Sequence, residues 1–178
     1  GDIVDTMAEQ ESDAEIIMIG KRGEAADFAK GHLGSNLERI VRASHKPVFV
    51  ASRAFKPVSK ILVAYDGGAS AMRAVDHIAR SKLYAGLEAH IVTVGTPNAE
   101  VQRGLKDAQA MLKAAGMEAT VGIIAGPAEQ TLGDLVDENG YDLLVMGAYG
   151  HSRIRSLIIG STTTEMIRSC KVPVVLIR

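Results

Sequence analysis

The sequence predicts an α/β fold. The expected core is an open, mostly parallel five-stranded sheet with helices on both faces, preceded by a partial second copy of the same unit. Three observations carry this. Strand-like and helix-like segments alternate from Val58 to Arg178. A glycine-rich stretch follows the apolar run Leu143-Leu144-Val145-Met146. The same local order recurs between residues 14 and 51. Strand–helix alternation calls for parallel strands joined by crossover helices.

The elements read as follows. Residues 2–12 carry Ile3, Val4 and Met7 at helical spacing, with acidic residues between them. Residues 14–20 (AEIIMIG) read as a buried strand ending at Gly20. A glycine-punctuated loop leads to a helix over 35–44, with Leu37, Ile40 and Val41 on one face and Ser35 or Asn36 available as its cap. Val48–Ala51 is a second apolar strand after Pro47. Residues 52–57 (SRAFKP) are polar and basic and end in Pro57, so they read as a linker.

From residue 58 a complete unit begins. Residues 60–65 are a strand running into Asp66-Gly67-Gly68, and 70–85 an amphipathic helix presenting Met72, Val75, Ile78 and Ala79. Residues 89–94 are a strand. Residues 99–115 are a helix with Val101, Leu105, Ala108 and Leu112 on one face, stopped by Gly116. Residues 118–124 are a strand, and Pro127 opens a helix to about Glu138. Asp142–Met146 is the next strand and Val174–Ile177 the last.

Composition narrows the class. Hydrophobic residues make up 47% of 178, enough for a sizeable core. Lys and Arg number 20 against 21 Asp and Glu, which argues against binding nucleic acid through bulk charge. The one cysteine, Cys170, excludes an internal disulfide, suits a reducing cytoplasm and reads as a small buried hydrophobe. The sequence has no run of membrane-spanning length and no signal-peptide pattern.

The stretch from Tyr141 to Thr163 carries the chemistry. Gly147 and Gly150 follow a strand, and nine residues later Gly160-Ser161-Thr162-Thr163 opens a helix. A helix start offers unpaired N–H groups and a positive dipole end, a natural seat for an anion. Glycines at a strand's carboxyl end allow a ligand to approach the backbone closely. Each glycine alone also reads as a turn former. Together, Gly147-x-x-Gly150-(nine residues)-Gly160-Ser161 resembles the nucleotide motif of the universal stress protein family.

The resemblance covers essentially the whole chain and implies a Rossmann-like fold of the adenine-nucleotide alpha-hydrolase type. Gly20, Gly23, Gly34-Ser35, Arg42, Pro47 and Val48 match Gly147, Gly150, Gly160-Ser161, Arg168, Pro173 and Val174, with one extra residue in the first copy. Residues 1–53 therefore read as the C-terminal part of a first domain, 54–57 as the linker and 58–178 as a complete domain. At that size residues 1–53 cannot bury a core of their own. The expected parent is a tandem protein of which this chain is a truncated piece. The resemblance also implies pairing through the last strands, Val174–Ile177 and Val48–Ala51, between domains or in a homodimer.

By the same resemblance the ligand is ATP, or AMP or ADP, with Mg²⁺ as a companion. Ala64, Val94 and Met146 would lie near the adenine and Asp66 near the adenosine part. Gly147, Gly150, Gly160, Ser161 and Thr162 would surround the ribose and phosphates. Chemically, Asp66 offers acceptors to hydroxyl and amino groups, and Ser161 can bond phosphate oxygens. Asp66 also reads as a turn carboxylate. Arg153 and Arg155 either neutralise phosphate or are solvated loop side chains, and His151 reads as exposed. The N-terminal motif lacks a partner Asp and reads as a turn without an assembled pocket.

His45, His77 and His90 are scattered, with no metal-ligand spacing. No nucleophile with a placed base and no P-loop lysine motif occurs, so fast ATP turnover is not expected, while slow hydrolysis stays open. The favoured function is a cytoplasmic nucleotide-responsive stress module, in which occupancy orders the Gly147–Gly160 loop. The alternative is an interaction or dimerisation module of the same fold that binds no nucleotide. Gly68, where the family often has Ser, leans toward the alternative.

Overall fold

The structure, a computed structural model, describes residues 2–21, 35–148 and 160–178. Helix α1 (Ile3–Gln10) begins at Asp2, whose side chain accepts from the Val4 N–H at 2.8 Å. Then come β1 (Ile17–Gly20), α2 (Ser35–Ala43) and β2 (Val48–Ala51). The C-terminal series is β3 (Lys60–Ala64), α3 (Ala69–Arg80), β4 (Glu88–Val94), α4 (Ala99–Ala114), β5 (Glu118–Ile124), α5 (Ala128–Asn139), β6 (Leu143–Gly147), α6 (Ser161–Ser169) and β7 (Val174–Ile177). The periodicity had run the third helix to residue 85. It stops at Arg80, and a short 3-10 turn covers Lys82–Tyr84. Helix α4 ends as expected at Gly116, which takes φ +82°, a left-handed value that glycine adopts without strain.

Among the described residues the sheet has seven strands rather than five, in the order β1-β2-β7-β6-β3-β4-β5. The expected count stopped at the C-terminal unit, but β2 adds to β7 in antiparallel register and brings β1 with it. An apolar strand edge left open would invite just such an addition. The junction is symmetric. Phe49 faces Val175, while Val48 faces Leu176 and Val50 faces Val174. Residues equally far past Pro47 and Pro173 thus exchange places across the ladder. The same backbone bond enters both flanking strands, from Ile17 N–H to the Pro47 carbonyl at 2.9 Å and from Leu144 N–H to the Pro173 carbonyl at 3.0 Å.

The helices cover both faces, as the alternation requires. On one face α2, α5 and α6 contribute Leu37, Ile40, Val41, Leu132, Val136, Met166 and Ile167 to a core with Leu62, Leu144 and Leu176. On the other, α3 and α4 contribute Ala74, Val75, Ile78, Leu105 and Leu112 against Ile61, Val63, Ile91 and Val145. Strand β1 departs from the expectation of a buried strand over 14–20. Its side chains alternate between half-buried and exposed, and Met18 is 68% exposed. Ile17 and Ile19 pack on the first core, whereas Met18 points to the face where α3 and α4 serve the other strands. Phe55, in the segment read as a linker, is 93% exposed.

Cys170 is buried, and burial pushes its thiol up. The Lys21 ammonium donates to the Cys170 carbonyl, joining the end of the first segment to the end of α6. Asp142 is the principal buried carboxylate at the start of β6. One of its oxygens accepts from the Ser59 N–H at 3.0 Å, the Ser59 hydroxyl at 2.9 Å and the Lys60 N–H at 3.1 Å. The other faces the Lys56 ammonium at 2.6 Å. Burial by itself would raise this carboxyl, but Lys56 and the Ser59 and Lys60 donors outweigh it and hold the group well below the ordinary value of 3.8.

A depressed carboxylate stabilises the fold above its unfolded pKa and loses that contribution as pH falls through its folded value. Asp142→Asn should therefore lower stability by about 1–3 kcal/mol at pH 7. In urea unfolding the gap between wild type and variant should narrow on acidification below pH 3.8. A gap that stays constant down to the lowest pH would show that the charge contributes nothing.

Candidate functional site

Strands β3 and β6 lie side by side, with Ala64 opposite Met146, and β4 flanks β3 on its other edge. The chain order reverses at this point, so the carboxyl ends of neighbouring strands lead to helices on opposite faces and leave a crevice. A cavity of about 660 Å³ opens there. Its wall combines apolar side chains (Ala64, Val92, Val94, Val101, Leu132, Met146) with the hydroxyl residues Thr93, Thr96, Ser161, Thr162 and Thr163.

Among the described residues, the structure brings together the expected nucleotide contacts. Ala64, Asp66, Val94, Met146, Gly147, Gly160, Ser161 and Thr162 all line this one cavity. Gly150 lies outside the described residues, as do His151, Arg153 and Arg155, and Gly23 and Gly34 of the first motif. Met146 is 6% exposed at the end of β6, and Ala64 next to it is half-buried. Asp66 is exposed and accepts from the Gly68 N–H at 2.8 Å, closing the turn into α3. Gly68 then caps that helix without any side-chain bond, so nothing at this position replaces a serine hydroxyl.

Gly147 serves a purpose that the spacing did not reveal. A Cβ built on it would come within 2.8 Å of the Ala71 nitrogen and the Ser70 Cβ, and within 2.9 Å of the Ser70 carbonyl carbon. The missing side chain admits the first turn of α3 against β6, a packing reason rather than a ligand reason. At Gly160, by contrast, an added Cβ meets nothing within 4 Å among the described residues. Gly160 is the residue before α6, and its carbonyl accepts the Thr164 N–H at 3.0 Å. The N–H groups of the first turn after it have no acceptor within the helix.

Several site residues escaped sequence reasoning. Tyr65 lies at the cavity beside Asp66, and burial pushes its phenol up, with the charges of Asp107 and Asp66 adding to the effect. Thr93, buried, donates its hydroxyl to the Tyr65 carbonyl at 2.7 Å and ties β4 to the end of β3. Val101 and Leu132 read equally well as ordinary helix faces. Glu129 lines the adjoining pocket rather than this cavity, but it reaches two of the cavity's hydroxyl residues. Its Oε1 accepts from the Thr162 hydroxyl at 3.0 Å and, more weakly, from the Ser161 hydroxyl at 3.4 Å. The signal available was only an acidic residue in a helix's first turn, which by itself means a favourable dipole contact.

Among the described residues the cavity wall carries no Lys, Arg, His or Cys. No group of three His, Cys, Asp or Glu side chains among them could hold a metal ion. The described wall sets apolar side chains beside hydroxyl groups and one exposed carboxylate, Asp66.

Residues 98–178 match the model of the universal stress protein family. Over 180 aligned residues the chain is 43% identical to a universal stress protein of Synechocystis. The chain is similar to universal stress proteins, over residues 98–178 by the family model and throughout by this relative. All of the chain takes part in that match, and it spans 63% of the Synechocystis protein's length. The crystal structure of a universal stress protein from Archaeoglobus fulgidus is similar at a TM-score of 0.75 and 27% identity, over 98% of this chain and 64% of that one. A universal stress protein crystallised in complex with cAMP is similar at a TM-score of 0.58 and 29% identity, over 69% of this chain and 98% of that one. No helix among the described residues is long and apolar enough to cross a membrane.

The two glycines separate experimentally. Gly147→Ala should cost about 1–3 kcal/mol in urea unfolding, because Ser70 and Ala71 must move. Gly160→Ala should cost about 0.5–1 kcal/mol, the helix-entry preference for glycine over alanine alone, because the added methyl meets open space. Equal effects would refute the packing role assigned to Gly147.

Proposed function

We propose that the cavity binds an adenine nucleotide and that the chain is a nucleotide-responsive module of the stress response. ATP, ADP and AMP share the same adenosine contacts, and Mg²⁺ would accompany the polyphosphates. The observation that carries this reading is the make-up of one cavity. An apolar slot between Val94 and Met146 adjoins the Asp66 carboxylate and the Gly160–Thr162 turn that opens α6. Adenine would lie against Ala64, Val94 and Met146. Asp66 would accept from ribose or base donors, and the first turn of α6 would face phosphate oxygens. The complex of a related universal stress protein with cAMP supports the same ligand class.

No described group in the cavity pairs a nucleophile with a base, so the role is binding with at most slow hydrolysis. Residues 1–53 act in this reading as the C-terminal part of a first domain, 54–57 as its linker and 58–178 as the complete domain. The symmetric β2–β7 ladder and the matched Ile17–Pro47 and Leu144–Pro173 bonds support it. The strands that would otherwise pair two molecules are then used within one chain, in a cytoplasmic protein.

One contact favours the alternative, an interaction module without nucleotide. The hydroxyls of Ser161 and Thr162 already donate to Glu129.

Calorimetric titration with ATP and AMP separates the two. Wild type should bind, Asp66→Ala should weaken binding by about tenfold to a hundredfold, and Gly160→Val by at least about tenfold. The valine should leave the fold intact, because the space at Gly160 is open among the described residues. A folded wild type that gives neither heat nor a thermal shift with either nucleotide would establish the interaction module instead.

A further inference from the structure

We infer that Glu129 sets how much phosphate the site accepts, favouring an adenosine monophosphate over a triphosphate. The inference rests on the adenine-nucleotide reading above and concerns the selectivity of that same cavity. Glu129 stands in the first turn of α5, and its carboxylate reaches the first turn of α6 through Thr162 and Ser161. It therefore lies at two helix amino ends, both of which favour negative charge. Glu129 itself lines the adjoining pocket, and its carboxylate holds from behind two hydroxyls of the cavity wall that a nucleotide tail would meet.

Two consequences follow for a ligand. A serine or threonine hydroxyl has one proton to donate. With that proton given to Glu129, Thr162 and Ser161 turn lone pairs toward the cavity. Lone pairs suit a donor such as a ribose hydroxyl and repel a phosphate oxygen. The second consequence is charge. A phosphoryl group brought close to the carboxylate in a half-buried setting meets a like charge. Each added negative charge should weaken binding on the order of tenfold, more than one neutral hydrogen bond returns. Adenosine feels neither effect, AMP feels them weakly, and ATP must displace the carboxylate or lie beside it.

The test is calorimetry with adenosine, AMP and ATP at constant ionic strength in EDTA, using wild type, Glu129→Gln and Glu129→Ala. Gln keeps the size and an acceptor for Thr162, while Ala removes both. Thermal unfolding checks that each protein is folded. Wild type should bind AMP at least about tenfold more tightly than ATP. Both variants should raise ATP affinity by about tenfold and leave adenosine within about twofold. An ATP-to-AMP ratio unchanged in both variants would overturn the role of Glu129 while leaving the nucleotide reading standing. A change in adenosine as large as that in ATP would mark Glu129 as merely structural and equally overturn it. If none of the folded proteins binds any of the three ligands, the nucleotide reading fails and this inference falls with it.

Discussion

Parallel strands β3 and β6 are joined at one end by the buried Asp142 carboxylate and closed at the other by Gly147, and the cavity is a consequence of that pairing. At the amino end, Asp142 accepts from Ser59 and Lys60, and its own N–H donates to the Lys60 carbonyl at 2.8 Å, so the two strands start in register. At the carboxyl end, the bare Cα of Gly147 lets α3 begin against β6. Between these points Leu62, Val63, Leu144 and Val145 are wholly buried. The ladder cannot slip by one residue without exchanging the two faces of the sheet. Because β3 runs on to Asp66 and β6 to Gly147, this register decides that the carboxylate and the glycine stretch share one cavity.

The second constraint is the β2–β7 ladder. It buries the edge of β7, and Val174, Val175, Leu176 and Ile177 become core residues rather than an exposed strand. Beyond the ladder, the Arg178 guanidinium donates to the Arg42 carbonyl at 2.5 Å, and the Arg178 carbonyl accepts from Arg73 at 2.7 Å. The C-terminal residue thus links the end of α2 to α3. A disturbance at the junction would reach α3, whose first turn packs on Gly147, and so the wall of the cavity.

Much of this was legible in the residues themselves. Helix and strand periods located the α-helices and strands, though not the 3-10 turn at Lys82–Tyr84, because a buried face leaves its spacing in the chain. The sheet's strand number was not legible from the C-terminal unit alone; the pairing of β2 with β7, between residues far apart in sequence, was implied by the family resemblance and not by periodicity. The burial of residues 14–20 was overread for a related reason: apolar composition reports what a strand can bury, not whether a helix arrives to cover it, and Met18 stays exposed. The candidate site residues were singled out by the glycine spacing and its family resemblance, and the described ones line one cavity. The reasons for them were less legible. Gly147 is glycine because of Ser70 and Ala71, a contact across 76 positions of chain (147 − 71). Thr93 and Tyr65 are joined by a bond that neither periodicity nor motif encodes.

Glu129 shows most clearly what lies beyond sequence. In the chain it is an acidic residue in a helix's first turn, a pattern with an adequate local reason. In the fold it also meets Thr162 and Ser161 from another helix, so one carboxylate is shared between two dipoles. The same physics that makes a helix start attractive to phosphate makes it attractive to this side chain. A helix amino end with a resident carboxylate is already neutralised in part, and an incoming anion gains only the difference. The glycine-serine-threonine pattern alone therefore overstates the pull on a phosphate, and the net attraction depends on a residue outside the motif. Specificity in such a cavity is decided less by which donors line it than by what those donors hold before the ligand arrives.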